Sequence, residues 1–295
     1  MIEAGSLSKT YNGIFALDDV SFAFDEGEII GIIGHNGAGK TTLLKILAGL
    51  VLPTSGTLRV HGIDVLHEPG RIKEMIGYLP EESRLYETMT ADQYLSFFGE
   101  IYGLDPKSIK ERQEALFSAL ALVPDGKKIA EFSKGMKRKL AIARSLIHDP
   151  SILIYDEPTS GLDPMTSRFI VQYLRHLREN GKTVILSAHN LFQVEAICDR
   201  VIILRRGRIE AIGSMPELRK EFGSISYSIY FSSDNPVAIR DIPPYVPDGG
   251  QYLVKAGSIG EMNEISGKIA MGGGIIERIE SHFPSLEEML VKIGQ

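Results

Sequence analysis

Cysteine is nearly missing from this chain. Cys198 is the one example in 295 residues, which excludes an internal disulfide framework and suits a reducing compartment. Positive charge is not in surplus either: 32 basic side chains face 38 acidic ones, a net charge of −6. General nucleic-acid affinity needs clustered positive charge that displaces counterions from phosphates, so no nucleic-acid partner is expected. Long apolar runs are also absent. Lys45 and Arg205 break the longest ones, well short of the roughly 20 residues that a bilayer helix needs. Met1 to Tyr11 lacks a basic region followed by an apolar stretch and does not read as a secretory leader. A soluble chain is expected, with any membrane role exercised through a partner. No internal repeat and no low-complexity tract occurs. What is present, 43% hydrophobic and 24% charged residues, is the composition of a globular chain with a core, long enough for one large domain or two unequal ones.

Charge suggests where such domains join. Residues 221–295 hold ten acidic and five basic side chains, against 28 and 27 in residues 1–220. The first 220 residues alternate short β-branched runs (Glu28–Ile33, Ser151–Tyr155, Thr183–Leu186, Arg200–Leu204) with helical patterns. The latter are Lys40–Leu50, Lys134–Ile147, Pro164–Glu179 and Leu191–Cys198. Such alternation predicts a mostly parallel sheet covered by helices. Ile14–Phe24 and Gly56–Val65 read instead as antiparallel strands, and Ala91–Leu122 as all-helical. The tail reads as a small α+β unit, with strands at Ser224–Phe231, Gln251–Ala256 and Ile275–Ser281. Its helices are Ser258–Ala270 and Ser285–Ile293, the second capped by Ser285 with Glu288 three residues on. A Pro/Gly-rich stretch from Asn235-Pro236 to Gly249-Gly250 is expected to form turns rather than extended elements.

Two motifs carry chemistry. Gly34-His35-Asn36-Gly37-Ala38-Gly39-Lys40-Thr41 is a full G-x-x-x-x-G-K-[ST] match between a strand pattern and a helix pattern. Its glycines let backbone amides approach a triphosphate, Lys40 reaches the outer phosphates and Thr41 can ligate Mg²⁺. Ile152-Leu153-Ile154-Tyr155-Asp156-Glu157 is an apolar strand ending in two acids, at the sheet edge where ligands bind in open α/β folds. One carboxylate can hold Mg²⁺ through water while the other polarises an attacking water. Together the two motifs read as a nucleotide hydrolase.

With these residues on view, the chain resembles the nucleotide-binding subunit of an ATP-binding cassette transporter over roughly residues 2–220. Phe132-Ser133-Lys134-Gly135-Met136 resembles the family signature, Ser160-Gly161-Leu162-Asp163 its D-loop and Ser187-Ala188-His189 its switch histidine. The resemblance implies a P-loop NTPase core with a mostly parallel sheet, an antiparallel β subdomain and a helical insertion at about 82–148. A small α+β accessory domain follows at 221–295. It also implies that Tyr11 stacks on adenine, that Gly34, Asn36, Gly37, Ala38, Gly39, Lys40, Thr41 and Thr42 cradle ATP, and that Thr41 and Asp156 serve Mg²⁺. Glu157 would be the base, His189 would bond the γ-phosphate, and Ser133 and Gly135 would reach ATP bound by a second copy. A homodimer around two ATP molecules and a separate transmembrane permease follow as expected partners. The expected setting is the cytoplasmic face of a membrane, without insertion, and the layout with its appended tail resembles the branch that mostly exports.

Two motifs depart from the family pattern: Glu81 stands where the Q-loop has glutamine, and Lys134 and Met136 replace Gly and Gln in the signature. A carboxylate is also an oxygen ligand for Mg²⁺, so Glu81 joins Thr41 and Asp156 as a metal candidate. Bland readings stand beside these. Tyr11 could be a strand residue packing on a neighbour, Cys198 a small buried apolar residue, and the cluster Lys134, Lys137, Arg138, Lys139 and Arg144 a solvated helix face. The histidines, including His61 and His67, lack zinc-ligand spacing. Six aromatics between Tyr78 and Tyr102 read mainly as the core of the helical insertion, with one or two expected to line a groove for the membrane subunit. A rival reading is a soluble cassette ATPase acting on nucleic acid or ribosomes. Such chains carry two cassettes or a long coiled coil between P-loop and signature, whereas here 93 positions separate Lys40 from Ser133. The guanine-reading Asn-Lys-x-Asp motif of a GTPase is absent.

Overall fold

Alternating burial marks the first two strands, β1 (Ile2–Tyr11) and β2 (Ile14–Phe24), which pair antiparallel through the Asn12-Gly13 turn. β3 (Ile29–Ile33) is buried at every position, as a strand covered on both faces must be. It feeds α1 (Lys40–Leu47), which ends earlier than the sequence pattern suggests because Gly49 turns left-handed at φ +65°. β4 (Ser55–Val60) and β5 (Ile63–Asp64) return to the first sheet, whose order is β2-β1-β4-β5. After α2 (Pro69–Met75) and β6 (Ile76–Leu79) come three helices, α3 (Ala91–Ile101), α4 (Pro106–Ala119) and α5 (Lys134–Leu146). Thr90, Asp105 and Ser133 cap them by accepting from backbone N–H groups two or three residues on.

β7 (Ile152–Tyr155), α6 (Pro164–Glu179), β8 (Thr183–Ser187), α7 (Leu191–Ile197), β9 (Arg200–Arg205) and β10 (Arg208–Gly213) complete the second sheet. Its order is β10-β9-β3-β8-β7-β6, parallel except for the β9–β10 hairpin. Residues of both sheets and of α1 share one core, which includes Leu17, Phe24, Ile32, Leu43, Ile154 and Ile202. This order seats β3, β8 and β7 side by side, so the loops leaving their carboxyl ends converge at one place.

The computed structural model describes residues 1–223, 225–234 and 241–293. The chain divides between Met215 and Pro216 into two compact units, and the division falls inside α8 (Met215–Phe222). The second unit continues with β11 (Ser226–Ser232), β12 (Val246–Asp248), β13 (Gln251–Ala256), α9 (Ile259–Met271), β14 (Ile275–His282) and α10 (Leu286–Ile293). Its sheet is antiparallel in the order β12-β13-β11-β14. Ile265 and Ile269 of α9 pack on Ile229, Phe231, Val254 and Ala256. Ser285 and Glu288 exchange bonds across the start of α10. The turns expected from residue 235 onward include an extended element after all: Pro247 sits inside β12, tolerated because an edge strand can spare one N–H. Ser224 and residues 235–240, to which the expected first tail strand and the Pro/Gly-rich stretch extend, lie outside the described residues.

Candidate functional site

A cavity of about 570 Å³ opens where β3, β7 and β8 end, a volume in the range of small-ligand sites. Asn36, Gly37, Ala38, Gly39, Lys40, Thr41 and Thr42 line it from one side, and Glu81, Asp156, Glu157 and His189 from the other. Tyr11, the last residue of β1, is 47% exposed at its rim, with Lys9 Nζ 5.0 Å from its ring. Gly34 does not line the cavity itself; its carbonyl accepts from Lys40 Nζ at 2.7 Å, beside the His35 carbonyl at 3.3 Å. Two glycines are required by packing: a Cβ would collide with the Leu204 carbonyl at Gly34 and with the Ala16 carbonyl at Gly39. At Gly37, φ is +79° and a Cβ would meet no protein atom, so the backbone there faces open space. No side chain caps the start of α1, which leaves its first N–H groups free for an anion.

Lys40 is only 8% exposed. Burial lowers its pKa, opposed by the carboxylates of Glu157, Asp156 and Glu81. It is a cation set among acids that would gain a second set of counter-charges from a polyphosphate.

The acidic side is tightly built. Asp156 Oδ1 accepts from Ser187 Oγ at 2.5 Å, and the same hydroxyl oxygen accepts from the Glu157 N–H at 3.0 Å. Glu157 has φ +49°, a left-handed conformation that a non-glycine residue holds only when its surroundings fix it. The His189 N–H donates to Glu157 Oε2 at 3.1 Å. The second carboxylate oxygen, Oε1, is buried, accepts no hydrogen bond from the protein and lies 3.4 Å from His189 Nε2. Burial raises the Glu157 pKa, against the pull of His189 and Lys40. A half-satisfied carboxylate of raised basicity in the cavity wall has the chemistry that a proton acceptor requires.

Arg138 fixes this edge from behind. It is 7% exposed, and its guanidinium donates to the carbonyls of Pro80, Glu81, Asp156, Glu157 and Pro158 at 2.6–3.0 Å. Burial pushes its pKa down to about 10, so it stays charged at neutral pH. The solvated basic face expected over Lys134–Arg144 is therefore wrong for Arg138. It is wrong for Arg144 too, which bonds the Tyr94 hydroxyl and the Tyr78 carbonyl and lies over the Phe98 ring. Sequence reasoning also passed over Ser187. Its signal is its place at the end of β8, one strand from the acids, where a fully buried hydroxyl has to bond something.

Ser133 and Gly135 are not brought into this cavity. Ser133 caps α5 and accepts from the Met136 N–H at 3.2 Å, and Gly135 lies against Thr166. Between them, the Lys134 ammonium occupies the space a side chain at Gly161 would need. Glu81 borders both the nucleotide cavity and a second one of about 660 Å³, which Lys134, Lys137 and Arg138 also line.

For Mg²⁺, the donor set is a hydroxyl at Thr41 and carboxylates at Asp156 and Glu81 around one cavity. No group of three or more His, Cys, Asp and Glu side chains forms a metal cage among the described residues. That fits Mg²⁺, which takes one or two carboxylates and completes its shell with water and phosphate oxygens.

A phosphate-binding loop facing paired acids across the carboxyl edge of a parallel sheet defines a nucleotide-hydrolysing α/β protein. Residues 17–160 match the family described as ABC transporter. The ABC transporter ATP-binding protein NatA of Bacillus subtilis (strain 168) is 40% identical over 220 residues, 74% of this chain and 89% of NatA. The Nod factor export ATP-binding protein I of Rhizobium sp. (strain N33) is 32% identical, across 99% of this chain and 96% of its own. A solved dimeric ATP-binding cassette in a post-hydrolysis state, bound to ADP and Pi, superposes with a TM-score of 0.68 at 28% identity. That match covers 72% of this chain and 98% of the cassette. The chain belongs to the ABC transporter family as an ATP-binding subunit, and it is an ATPase.

Proposed function

We propose that this subunit binds Mg-ATP in the cavity between Lys40 and Glu157, hydrolyses it as a homodimer and drives a separate membrane permease in export. Tyr11 stacks on the base, and the amides of residues 36–42 with Lys40 hold the phosphates. Thr41, Asp156 and Glu81 would hold Mg²⁺, which when bound neutralises charge building on the β- and γ-phosphate oxygens. Glu157 Oε1 accepts the proton of a water that attacks the γ-phosphorus, and the bond to the ADP oxygen breaks. His189 bonds the γ-phosphate and keeps that water in line. Export is supported by the match to the Nod factor export protein along nearly the whole chain, tail included.

Ser133 and Gly135 point to a second copy because the cavity of their own chain leaves them out. The dimeric cassette among the structural neighbours supports the same arrangement. No described helix is long and apolar enough to cross a membrane, so this reading assigns transport to a permease and seats the subunit at its cytoplasmic side.

The observation that carries the reading is Glu157 itself, buried, left-handed and with one oxygen unsatisfied beside His189. Glu157→Gln keeps the shape and removes the proton acceptor, so turnover should fall about 10²–10⁴-fold while ATP still binds. Unhydrolysed ATP should then hold the dimer together, since a ligand shared by two copies favours their association. Size-exclusion chromatography with ATP, with ADP and without nucleotide, run on chains ending at Phe222 so that only the cassette can associate, reads this out, with Lys40→Ala as the control that fails to bind. Normal turnover in Glu157→Gln, or a monomer at saturating ATP, would refute the assignment.

A further inference from the structure

The two edges of the tail sheet are not equally guarded. β12 is three residues long and carries Pro247, which blunts it against further pairing. At the opposite edge β14 is eight residues long, has no proline, and among the described residues pairs with a strand only on its β11 side. Seven of its eight residues are exposed, including Ile279 at 43%. From Arg278 to His282 the strand runs in unbroken register with β11.

From this edge we infer that β14 pairs with β14 of a second copy, joining two tail sheets into one of eight strands without help from nucleotide. The charge pattern selects this occupant and its register. Ile279 lies opposite Ile229, on the face covered by α9, whereas Arg278 and Glu280 lie opposite Tyr230 and Ser228 on the other face. Arg278 sits 4.0 Å over the Tyr230 ring and 3.3 Å from Glu280, so both charges stand together on that face. A two-fold axis perpendicular to the sheet keeps faces matched only when one residue of the strand stands directly opposite its own twin across it. Centring on Arg278 sets Arg against Arg, and centring on Glu280 sets Glu against Glu. Centring on Ile279 sets Ile279 against its twin and Arg278 against the partner's Glu280, twice. Opposite charges directly across strands attract and like charges repel, so the strand is complementary to itself in this register.

The test uses the full chain without nucleotide, followed by analytical ultracentrifugation across a concentration series. Wild type should associate to a dimer, and Lys40→Ala should do the same, which separates this contact from any built around ATP. Arg278→Glu or Glu280→Arg alone turns two attractive pairs into two repulsive ones and should weaken association about tenfold or more. Mixing the two single variants restores both pairs in the heterodimer, so the mixture should associate like wild type; circular dichroism checks that each variant is folded. A wild type that stays monomeric leaves the edge to some other strand and overturns the proposal. Single variants that associate as well as wild type, or a mixture that fails to associate, overturn it equally.

Discussion

At the scale of single residues, the site is held by groups whose burial costs stability. Glu157 has a folded pKa above its ordinary value of 4.5, with burial the largest cause. The sign follows: its favourable balance is complete below 4.5 and is lost as pH rises through the folded value. Glu157→Gln should therefore be more stable than wild type at pH 7, and the gap should close as pH falls to the ordinary carboxylate range. Urea unfolding at several pH values measures this. The acid limb of wild-type turnover should lie above that range for the same reason. Arg138 offers a second test. Arg138→Met strands five carbonyls that the guanidinium now bonds, and should lower stability by about 2–4 kcal/mol. Because two of those carbonyls belong to Asp156 and Glu157, turnover should drop more than ATP affinity. Arg138→Lys, which keeps charge but loses the planar fork, should rescue only in part.

Between elements, the contact to watch is β6 against α5. Gly77 in β6 has no room for a side chain, since a Cβ would strike the Ser145 carbonyl of α5. This close approach sets where β6 ends, at Leu79 just ahead of Glu81, relative to where α5 begins, at Lys134 just after its Ser133 cap. Gly77→Ala should push the helix from the strand at a cost of about 1–3 kcal/mol, the usual range for overpacking. Thermal unfolding would show the loss. Ser145 also bonds the Tyr155 hydroxyl at 2.7 Å, so the disturbance should reach β7 and slow turnover.

For the whole molecule, the described residues that line the nucleotide cavity run from Tyr11 to His189, and the tail carries no nucleotide motif. Its surplus of acids would repel phosphate rather than attract it. A chain ending at Phe222, which keeps α8 entire, should bind ATP with the affinity of the full chain. Isothermal titration decides it: a folded truncation that had lost ATP affinity would place part of the site in the tail.

The amino-acid order determined the phosphate loop, the Asp-Glu strand end and most helix starts, because each rests on residues close in sequence. Gly39-Lys40 needs no distant partner to be a loop-to-helix junction, nor does Ser133 need one to cap α5. Only the tertiary structure decided what Arg138 does, since the five carbonyls it serves come from residues 80–81 and 156–158. In sequence it is one more cation in a basic helix. Ser187 is legible in the same limited way, its bonds to Asp156 and Glu157 appearing only once β7 and β8 are neighbours. A β-strand does not announce which of its sides is left unpaired: that β12 is short and guarded while β14 is long and open emerged only from the order of the tail sheet. Side-chain type and spacing are local, but pairing order and the desolvation of a charge are set by segments that meet only in the fold.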